Sequence, residues 1–184
     1  MDQVNNSFNE NENVYLVGFM GSGKTHWGKL WAAASQRSFV DLDEVIEKAA
    51  GATIAEIFET KGEDHFRSIE AEALRACASL THTIIACGGG TPCFYDNISW
   101  MNENGLTIYI SCTPAEVLER VAQEQEKRPL LKKLSTAELL FFIEQKLKER
   151  EPYYNQAKIS VASHELTAGS FYGIINNSKI KLNA

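Results

Sequence analysis

A phosphate-binding loop near the start of the chain limits the possible folds more than any other feature. Residues 18–25 read GFMGSGKT and match the pattern GxxxxGK[ST]. A short apolar run, residues 14–18, precedes the loop, and a helical pattern over residues 24–35 follows it. Such a loop works between a strand and a helix, where backbone N–H groups and the helix N-terminus attract phosphate. The sequence therefore predicts that the fold begins with a nucleotide-binding strand–loop–helix unit.

The residue types in this loop suit separate roles. Its glycines allow the backbone to close around phosphate groups, Lys24 can reach the outer phosphates, and the hydroxyl of Thr25 can bind Mg²⁺. Nucleotide contacts are therefore expected from Gly21, Ser22, Gly23, Lys24 and Thr25. A tight strand-to-helix turn that binds nothing is the alternative interpretation.

Further apolar segments alternate with helical patterns along the chain. The predicted strands after the first cover residues 38–43, 83–86, 106–110 and 158–162. Hairpin signals are absent, so the strands should be joined by right-handed crossovers. The pattern predicts an α/β fold with three layers, α/β/α, around a five-stranded parallel sheet. Ligands of such folds bind at the carboxyl ends of the strands.

Capping signals mark several helices between these strands. Capping boxes at residues 53–56, 113–116 and 135–138 predict three helix starts, each with Ser or Thr three residues before Glu. Gly62 is expected to end the first of these helices, with another helix following to about residue 79. A short helix is expected near residues 96–102. The second boxed helix should run to about residue 126, and Pro152 should stop the third.

Length and charge narrow the possible functions. The 184 residues predict one domain and exclude two catalytic domains. The net charge of −6 argues against nucleic-acid binding, which needs a clustered excess of Lys and Arg. No apolar run reaches the ~18 residues of a membrane span, and the chain does not open like a signal peptide. We expect a cytoplasmic monomer that binds a small molecule and has no nucleic-acid or membrane partner.

The cysteines do not form a recognisable metal or redox motif. Cys77, Cys87, Cys93 and Cys112 are far apart and include no CxxC pair. We expect them to be buried thiols in a reducing compartment.

Two carboxylates follow the second predicted strand. Side chains alternate along a strand, so Asp41 and Asp43 should share a face and point toward the phosphate loop. One could hold Mg²⁺ through water, and the other could accept a hydrogen bond from an acceptor hydroxyl. The alternative is that both are solvated caps of a helix that begins near Glu44.

Three arginines are candidates for binding anions. Arg67, Arg128 and Arg150 carry the forked donor that suits carboxylates and phosphates. Each could instead be a surface residue, and Arg67 could form an ion pair within its helix with Glu70. The sequence lacks the NKxD motif of GTPases, and it is short for an ATPase machine. Phosphoryl transfer to a small acceptor is therefore favoured.

In these motifs the sequence resembles the shikimate kinases, which are small P-loop kinases of the nucleoside monophosphate kinase fold. The resemblance covers about residues 14–162. The motifs that support it are GFMGSGKT, DLDEVIE, TIAEIFETKGEDHFRSIE, the triplet Gly88–Gly90, RPLL and REPYYNQA. Their common order and spacing make the resemblance far more specific than the phosphate loop alone. It implies ATP-dependent phosphorylation of the 3-hydroxyl of shikimate.

The resemblance also implies roles for individual residues. Shikimate contacts fall on Asp43, Arg67, Gly88, Gly89, Gly90 and Arg150, with Phe58 and Phe66 as apolar walls. Thr25 and Asp41 would serve Mg²⁺, and Arg120 is the candidate to stack on adenine. Lys24, Asp43 and Arg128 are the expected catalytic residues, with Asp43 as base or as a group that orients the hydroxyl.

Composition and the same resemblance together divide the chain. Residues 1–12 are Asn-rich and expected to be disordered. Residues 13–163 should form a single P-loop kinase domain whose helical lid spans about 113–135 and carries Arg128. A charged segment with Pro129 between two capped helices is suited to closing over the site, although a rigid helical hairpin is the alternative. Residues 164–184 are expected to be a tail or a terminal helix.

Some residues depart from the family pattern, and two other functions are possible. Arg120 lies one residue farther from RPLL than is usual, and residues 162–169 lack the proline often found against adenine. Cys87 stands where Ser or Thr is more common. The rival enzyme is another small P-loop kinase, such as a gluconate kinase. The rival of another class is a nucleotide-binding module that has lost catalysis.

Overall fold

Five parallel strands form the central sheet of the protein. The computed structural model describes residues 9, 11–123 and 134–181. The strands are β1 (Asn13–Val17), β2 (Ser38–Asp41), β3 (Thr83–Ala86), β4 (Gly105–Ser111) and β5 (Ile159–Ala162). Their order in the sheet is β2-β3-β1-β4-β5, and every neighbouring pair is parallel. The predicted five-stranded parallel sheet is confirmed.

Helices cover both faces of the sheet. They are α1 (Lys24–Ser35), α2 (Leu42–Ala50), α3 (Ile54–Ala76), α4 (Asn97–Asn104), α5 (Pro114–Gln123), α6 (Thr136–Tyr154) and α7 (Ser170–Lys181). The alternation of side chains along β1 explains why both faces need a cover. Val14 and Leu16 pack in one core with Trp31 of α1 and Phe171 of α7. Tyr15 and Val17 pack on the opposite face in a second core with α2–α6.

The second strand ends earlier than the sequence predicted. β2 stops at Asp41, and Asp43 lies in the first turn of α2. The expectation that the two carboxylates share one face of a strand is therefore wrong. Asp41 instead accepts a hydrogen bond from the backbone N–H of Asp43 and caps α2, so the chain leaves the strand between the two residues.

Gly62 and Pro152, the predicted ends of two helices, differ in their effect on the chain. Gly62, with the non-helical angles φ 82° and ψ 173°, ends the first helical part of α3, and a second helical part follows to Ala76, so this prediction is confirmed. Pro152 does not stop α6, which runs on to Tyr154. Pro152 removes only one backbone donor close to the helix end. The fully buried Tyr154 keeps the last turn in place.

Several sequence expectations fall partly or wholly on residues that are not described. The expectation of disorder in residues 1–12 falls largely on residues 1–8 and 10, which lie outside the described residues. The proposed lid is described only up to Gln123 and again from Leu134, so Arg128 lies outside. The C-terminal segment forms α7, which packs on α1 through Phe171 and Trp31, 5.8 Å between ring centroids.

The cysteines differ in exposure. Cys77 and Cys87 are buried as expected, whereas Cys93 and Cys112 are partly exposed, and all four are free. In the described ranges, no helix has the length and apolar character needed to cross a membrane.

Candidate active site

A cavity of about 460 Å³ lies at the carboxyl ends of the strands. The phosphate loop after β1, the junction of β2 with α2, the glycines after β3 and a side chain of α5 surround it. The lining residues are Met20, Gly21, Gly23, Lys24, Thr25, His26, Asp41, Asp43, Cys87, Gly88, Gly89 and Arg120. The cavity thus lies where ligands of open α/β sheets bind.

The phosphate loop adopts a conformation that requires glycine. Gly23 caps α1 with φ 92°, in the left-handed region that side chains rarely adopt. At Gly18, with φ 145°, a Cβ atom would lie 2.6 Å from the carbonyl oxygen of Ile110. The loop therefore packs against the end of β4 at a distance that only glycine permits.

Lys24 crosses this loop. Its Nζ donates hydrogen bonds to the carbonyl oxygens of Gly18 and Phe19, each at 2.8 Å. Burial lowers the pKa of the Lys24 ammonium to about 8, although Asp43 and Asp41 act in the opposite direction. The ammonium therefore lies in the loop as a poorly solvated cation that phosphate oxygens can stabilise.

Thr25 and Asp41 form a direct hydrogen bond at the edge of the cavity. The hydroxyl of Thr25 donates to Asp41 Oδ2 at 2.8 Å, while Asp41 Oδ1 accepts from the N–H of Asp43 at 3.1 Å. Asp41 is therefore both a helix cap, as the alternative interpretation had it, and a neighbour of the phosphate loop. Across the described ranges, no group of three or more His, Cys, Asp or Glu could hold a metal by itself. This donor set still fits Mg²⁺, which commonly uses one or two carboxylates together with water and phosphate oxygens.

Asp43 is a carboxylate whose surroundings raise its pKa. Burial is the largest effect that raises its pKa, to about 6, and the nearby Asp41 and Glu70 raise it further, whereas Lys24 lowers it. A Cβ atom at Gly88 would lie 3.0 Å from Asp43 Oδ1. The carboxylate therefore lies against bare backbone on the cavity wall, where it can accept a hydrogen bond from a hydroxyl.

Arg67 lies against the end of the glycine triplet. A Cβ atom at Gly90 would lie 2.6 Å from Arg67 Nη2. Arg67 also forms ion pairs with Glu70 at 2.7 Å and Glu63 at 3.1 Å, so the ion-pair interpretation of Arg67 is also correct. The side chain is only 9% exposed.

Aromatic rings enclose the Arg67 guanidinium. Its central carbon lies 5.0 Å from the ring centroid of Phe66, 5.9 Å from that of Phe58 and 4.5 Å from that of Phe94. The rings of Phe58 and Phe66 pack together at 4.6 Å. These contacts stabilise the charged guanidinium in this position through cation–π attraction and limit its motion.

Arg150 approaches the triplet from α6. A Cβ atom at Gly89 would lie 3.5 Å from Arg150 Nη1, and the guanidinium carbon of Arg150 lies 5.6 Å from the ring centroid of Phe19. One turn later, Tyr154 donates its hydroxyl to the carbonyl oxygen of Gly89 at 2.5 Å. Residues 88–90 are therefore in contact with α2, α3 and α6 together, and two arginines face them.

Arg120 connects three segments at the other end of the cavity. Its Nη1 donates to the carbonyl oxygen of Gly21 at 2.9 Å and to Cys112 Sγ at 3.4 Å, and its Nη2 donates to Ser163 Oγ at 3.0 Å. Arg120 thus lines the cavity beside the phosphate loop, and its stacking on adenine stays a prediction.

The structure brings together nearly all of the expected site residues. Lys24, Thr25, Asp41, Asp43, Gly88, Gly89 and Arg120 line one cavity, and Arg67, Gly90 and Arg150 adjoin it. Arg128 lies outside the described residues. Sequence reasoning missed Thr91, whose hydroxyl donates to Glu70 Oε1 at 2.6 Å, and the contact of Tyr154 with Gly89. The REPYY motif contains Tyr154, but no sequence signal pointed to Thr91.

Comparison with known proteins identifies the family. The family model described as shikimate kinase matches residues 20–177. The chain belongs to the shikimate kinase family. This family consists of ATP-dependent kinases, so the predicted nucleotide-dependent phosphotransferase class is confirmed. The match extends beyond residue 162, the end of the resemblance noted from the sequence, and includes most of α7.

Individual shikimate kinases are similar over most of their length. The shikimate kinase of Phocaeicola vulgatus is 39% identical over 153 residues, which are 83% of this chain and 87% of the relative. The solved shikimate kinase of Bacteroides thetaiotaomicron has a TM-score of 0.81 at 35% identity and covers 94% of this chain and 96% of its own. The shikimate kinase of Acinetobacter baumannii was solved in complex with shikimate. It has a TM-score of 0.74 at 32% identity and covers 94% of this chain and 92% of its own.

The rival enzyme class is similar in fold alone. A gluconokinase of Sinorhizobium meliloti has a TM-score of 0.57 at 15% identity. This likeness confirms the P-loop kinase architecture and carries no information on the acceptor.

Proposed function

We propose that this shikimate kinase family member transfers the terminal phosphoryl group of ATP to the 3-hydroxyl of shikimate through the residues that surround the cavity. One observation supports this assignment above the others. Asp43, Arg67 and Arg150 come from three different helices, yet all three lie against residues 88–90. The phosphate loop lines the same cavity as Gly88 and Gly89. An acceptor pocket and a nucleotide pocket are therefore adjacent.

Shikimate has a carboxylate and three hydroxyls on a small ring, and the acceptor pocket offers complementary groups. Among the described residues, Arg67 donates from three of its five N–H groups to Glu63 and Glu70, which leaves two for an anion. Arg150 supplies a second guanidinium for the shikimate carboxylate. Asp43 accepts hydrogen bonds from hydroxyls, and the bare backbone at residues 88–90 allows the ring to approach closely.

The nucleotide pocket neutralises the charge of the triphosphate. Lys24 exchanges the carbonyl oxygens of Gly18 and Phe19 for phosphate oxygens when ATP binds. Thr25 and Asp41 would hold Mg²⁺, Asp41 through water. A bound Mg²⁺ would neutralise phosphate charge and align the terminal phosphate with the acceptor. Arg120 lies beside the phosphate loop and contributes to nucleotide binding, and the role that the family resemblance implies for Arg128 is to bind the phosphates.

Asp43 orients the reacting hydroxyl. With a pKa of about 6 it is mostly ionised at neutral pH, so it can accept a hydrogen bond from the acceptor hydroxyl. Phosphoryl transfer passes through a loose transition state that needs little early removal of the proton. Positioning is therefore the larger part of the role of Asp43, and it receives the proton late in the reaction.

The protein acts as a monomer in this proposal. The net charge of −6 supports the absence of a nucleic-acid partner.

A coupled assay of ADP release tests the function. The purified protein is given ATP, Mg²⁺ and, in separate reactions, shikimate, gluconate or a nucleoside monophosphate. We expect ADP release in the reaction with shikimate and in neither of the other two. ³¹P NMR of the product should show a phosphate ester on the 3-hydroxyl of shikimate. Turnover with gluconate or a nucleotide instead would identify another small-molecule kinase. ATP binding without turnover of any acceptor would identify an inactive nucleotide-binding module.

A further inference from the structure

The turn that follows the glycine triplet has an unusual backbone. Tyr95 and Asp96 are consecutive non-glycine residues with positive φ, 50° and 52°. Side chains rarely adopt this left-handed conformation, and two in succession persist only where the surroundings hold them. Tyr95 is 56% exposed, so packing of its ring does not explain its conformation.

Arg75 and Asn97 hold this turn. Arg75, near the end of α3, donates from Nη2 to the carbonyl oxygen of Tyr95 at 2.9 Å and from Nη1 to Asn97 Oδ1. The guanidinium carbon of Arg75 lies 4.9 Å from the ring centroid of Trp100 in α4. Asn97 is fully buried, and its amide donates to the carbonyl oxygen of Thr91 at 2.8 Å. The two side chains therefore fix both ends of the segment 91–97.

This segment contacts Arg67 in two ways. The Thr91 hydroxyl donates to Glu70, whose other oxygen accepts from Arg67 Nη1 at 2.7 Å. Thr91 is fully buried and Glu70 is 1% exposed, so neither has water as an alternative partner. Phe94 lies over the Arg67 guanidinium at 4.5 Å. A shift of the segment would therefore move the ion-pair partner of Arg67 and the ring that covers it.

We propose that Arg75 and Asn97 are positioning residues for the acceptor: they hold residues 91–97 so that Thr91 fixes Glu70, Phe94 covers Arg67, and Arg67 faces the glycine triplet. This role rests on the proposed function, in which Arg67 binds shikimate. Neither residue touches the acceptor. Both act through Arg67, so their loss weakens shikimate binding and leaves nucleotide binding unchanged.

Three variants test this role by steady-state kinetics with shikimate and ATP varied separately. Asn97→Asp keeps the size of the side chain and the acceptor for Arg75 but removes the donor to Thr91. Arg75→Met keeps an apolar stem over Trp100 but removes both hydrogen bonds, and Arg75→Lys restores a single donor. Glu72→Gln, an exposed change one turn before Arg75 on α3, is the matched control.

We expect Asn97→Asp and Arg75→Met to raise the KM for shikimate about fivefold, the range for loss of one supporting hydrogen bond. Arg75→Lys should recover part of this loss. The KM for ATP and kcat should stay within about twofold of the parent, and Glu72→Gln should change none of the three. A merely structural role would lower the thermal midpoint or the fraction of active protein without changing the KM for shikimate.

A double-mutant cycle separates this role from the proposed function. In an Arg67→Lys background, Asn97→Asp should cause no further rise in the KM for shikimate, because the residue through which it acts is already altered. An unchanged KM in Asn97→Asp and in the partly exposed Arg75→Met, or an additive effect in the double variant, would overturn the positioning role. If Arg67→Lys itself left the KM unchanged, the assignment of Arg67 to shikimate would be wrong instead.

Discussion

Tyr154 donates its hydroxyl to the carbonyl oxygen of Gly89 at 2.5 Å, across 65 residues of sequence. The phenol is fully buried, and its ring stacks on Tyr109 with 5.0 Å between centroids. The last turn of α6, which follows Arg150, is thereby fixed to the wall of the acceptor pocket.

Tyr154→Phe should therefore weaken both the fold and acceptor binding. Removal of the hydroxyl leaves the Gly89 carbonyl oxygen without its donor, which costs about 1–3 kcal/mol in the free energy of unfolding. Urea denaturation measures this loss, and the KM for shikimate should rise while the KM for ATP does not. Tyr153→Phe, at a neighbouring exposed tyrosine, is the control. Equal stability of Tyr154→Phe and the parent protein would show that the contact contributes nothing.

Lys24→Met should nearly abolish turnover. The change keeps the aliphatic stem but removes the cation that faces the phosphates. We expect kcat to fall about 100-fold to 1000-fold, the range for loss of one preorganised charge-stabilising group. Shikimate binding, measured by calorimetry, should persist. The control is Lys29→Met, an exposed lysine one turn later in α1, and a Lys24→Met enzyme with normal turnover would exclude the phosphate loop from the mechanism.

Arg150→Ala should weaken the binding of shikimate but not that of ATP. Loss of a charged hydrogen-bonding partner typically costs about 1.5–3 kcal/mol. This predicts a rise in the KM for shikimate of about tenfold or more, with little change in the KM for ATP. Lys146→Ala removes a partly exposed cation one turn earlier on α6 and serves as the control. If Arg150→Ala weakened both ligands equally, the variant would be misfolded or Arg150 would belong to another site.

The raised pKa of Asp43 predicts a pH dependence of activity. With a pKa of about 6, the carboxylate becomes protonated below pH 6 and loses its capacity to accept from the hydroxyl. The value of kcat/KM for shikimate should therefore decline on the acid side of about pH 6. An acid limb that persisted unchanged in Asp43→Asn would have to be assigned to another group.

The same shift makes a prediction for stability. Since burial raises the pKa of Asp43 in the folded state above its ordinary value of 3.8, the folded protein binds more protons than the unfolded chain between about pH 4 and pH 6. The ionised group therefore opposes folding above pH 6. Asp43→Asn should raise the free energy of unfolding at pH 7.5, and the gain should shrink toward pH 4. Urea denaturation at the two pH values measures the difference.

Local patterns in the sequence predicted most elements of the fold. The span of α1, residues 24–35, and that of β3, residues 83–86, match the structure, because capping, glycine and apolar runs define them locally. The alternation pattern gave the wrong element for Asp43, which was placed in a strand and lies in a helix. A carboxylate two residues after Asp41 fits strand alternation and a first helical turn equally well, and only the cap formed by Asp41 separates the two.

Such local patterns could not predict the long-range contacts in the site. The hydrogen bond between Thr91 and Glu70 and the contact of Arg75 with Asn97 each join residues more than 20 positions apart. Their partners depend on how α3 packs beside the segment after β3. Arg67, Arg150 and the glycines were identified because the whole set of motifs resembled one family, and not because any one of them was decisive.

The hydrogen bonds from Lys24 to the carbonyl oxygens of Gly18 and Phe19 affect how the enzyme binds its nucleotide. The ammonium links two carbonyl oxygens of the loop, so the protein's own contacts hold the loop in its curved shape. When the triphosphate binds, only the Lys24 side chain has to exchange its hydrogen-bond acceptors. The eight residues of the loop, 18–25, do not have to become ordered. Association should therefore be rapid, because binding that requires no conformational change of the loop is not slowed by one.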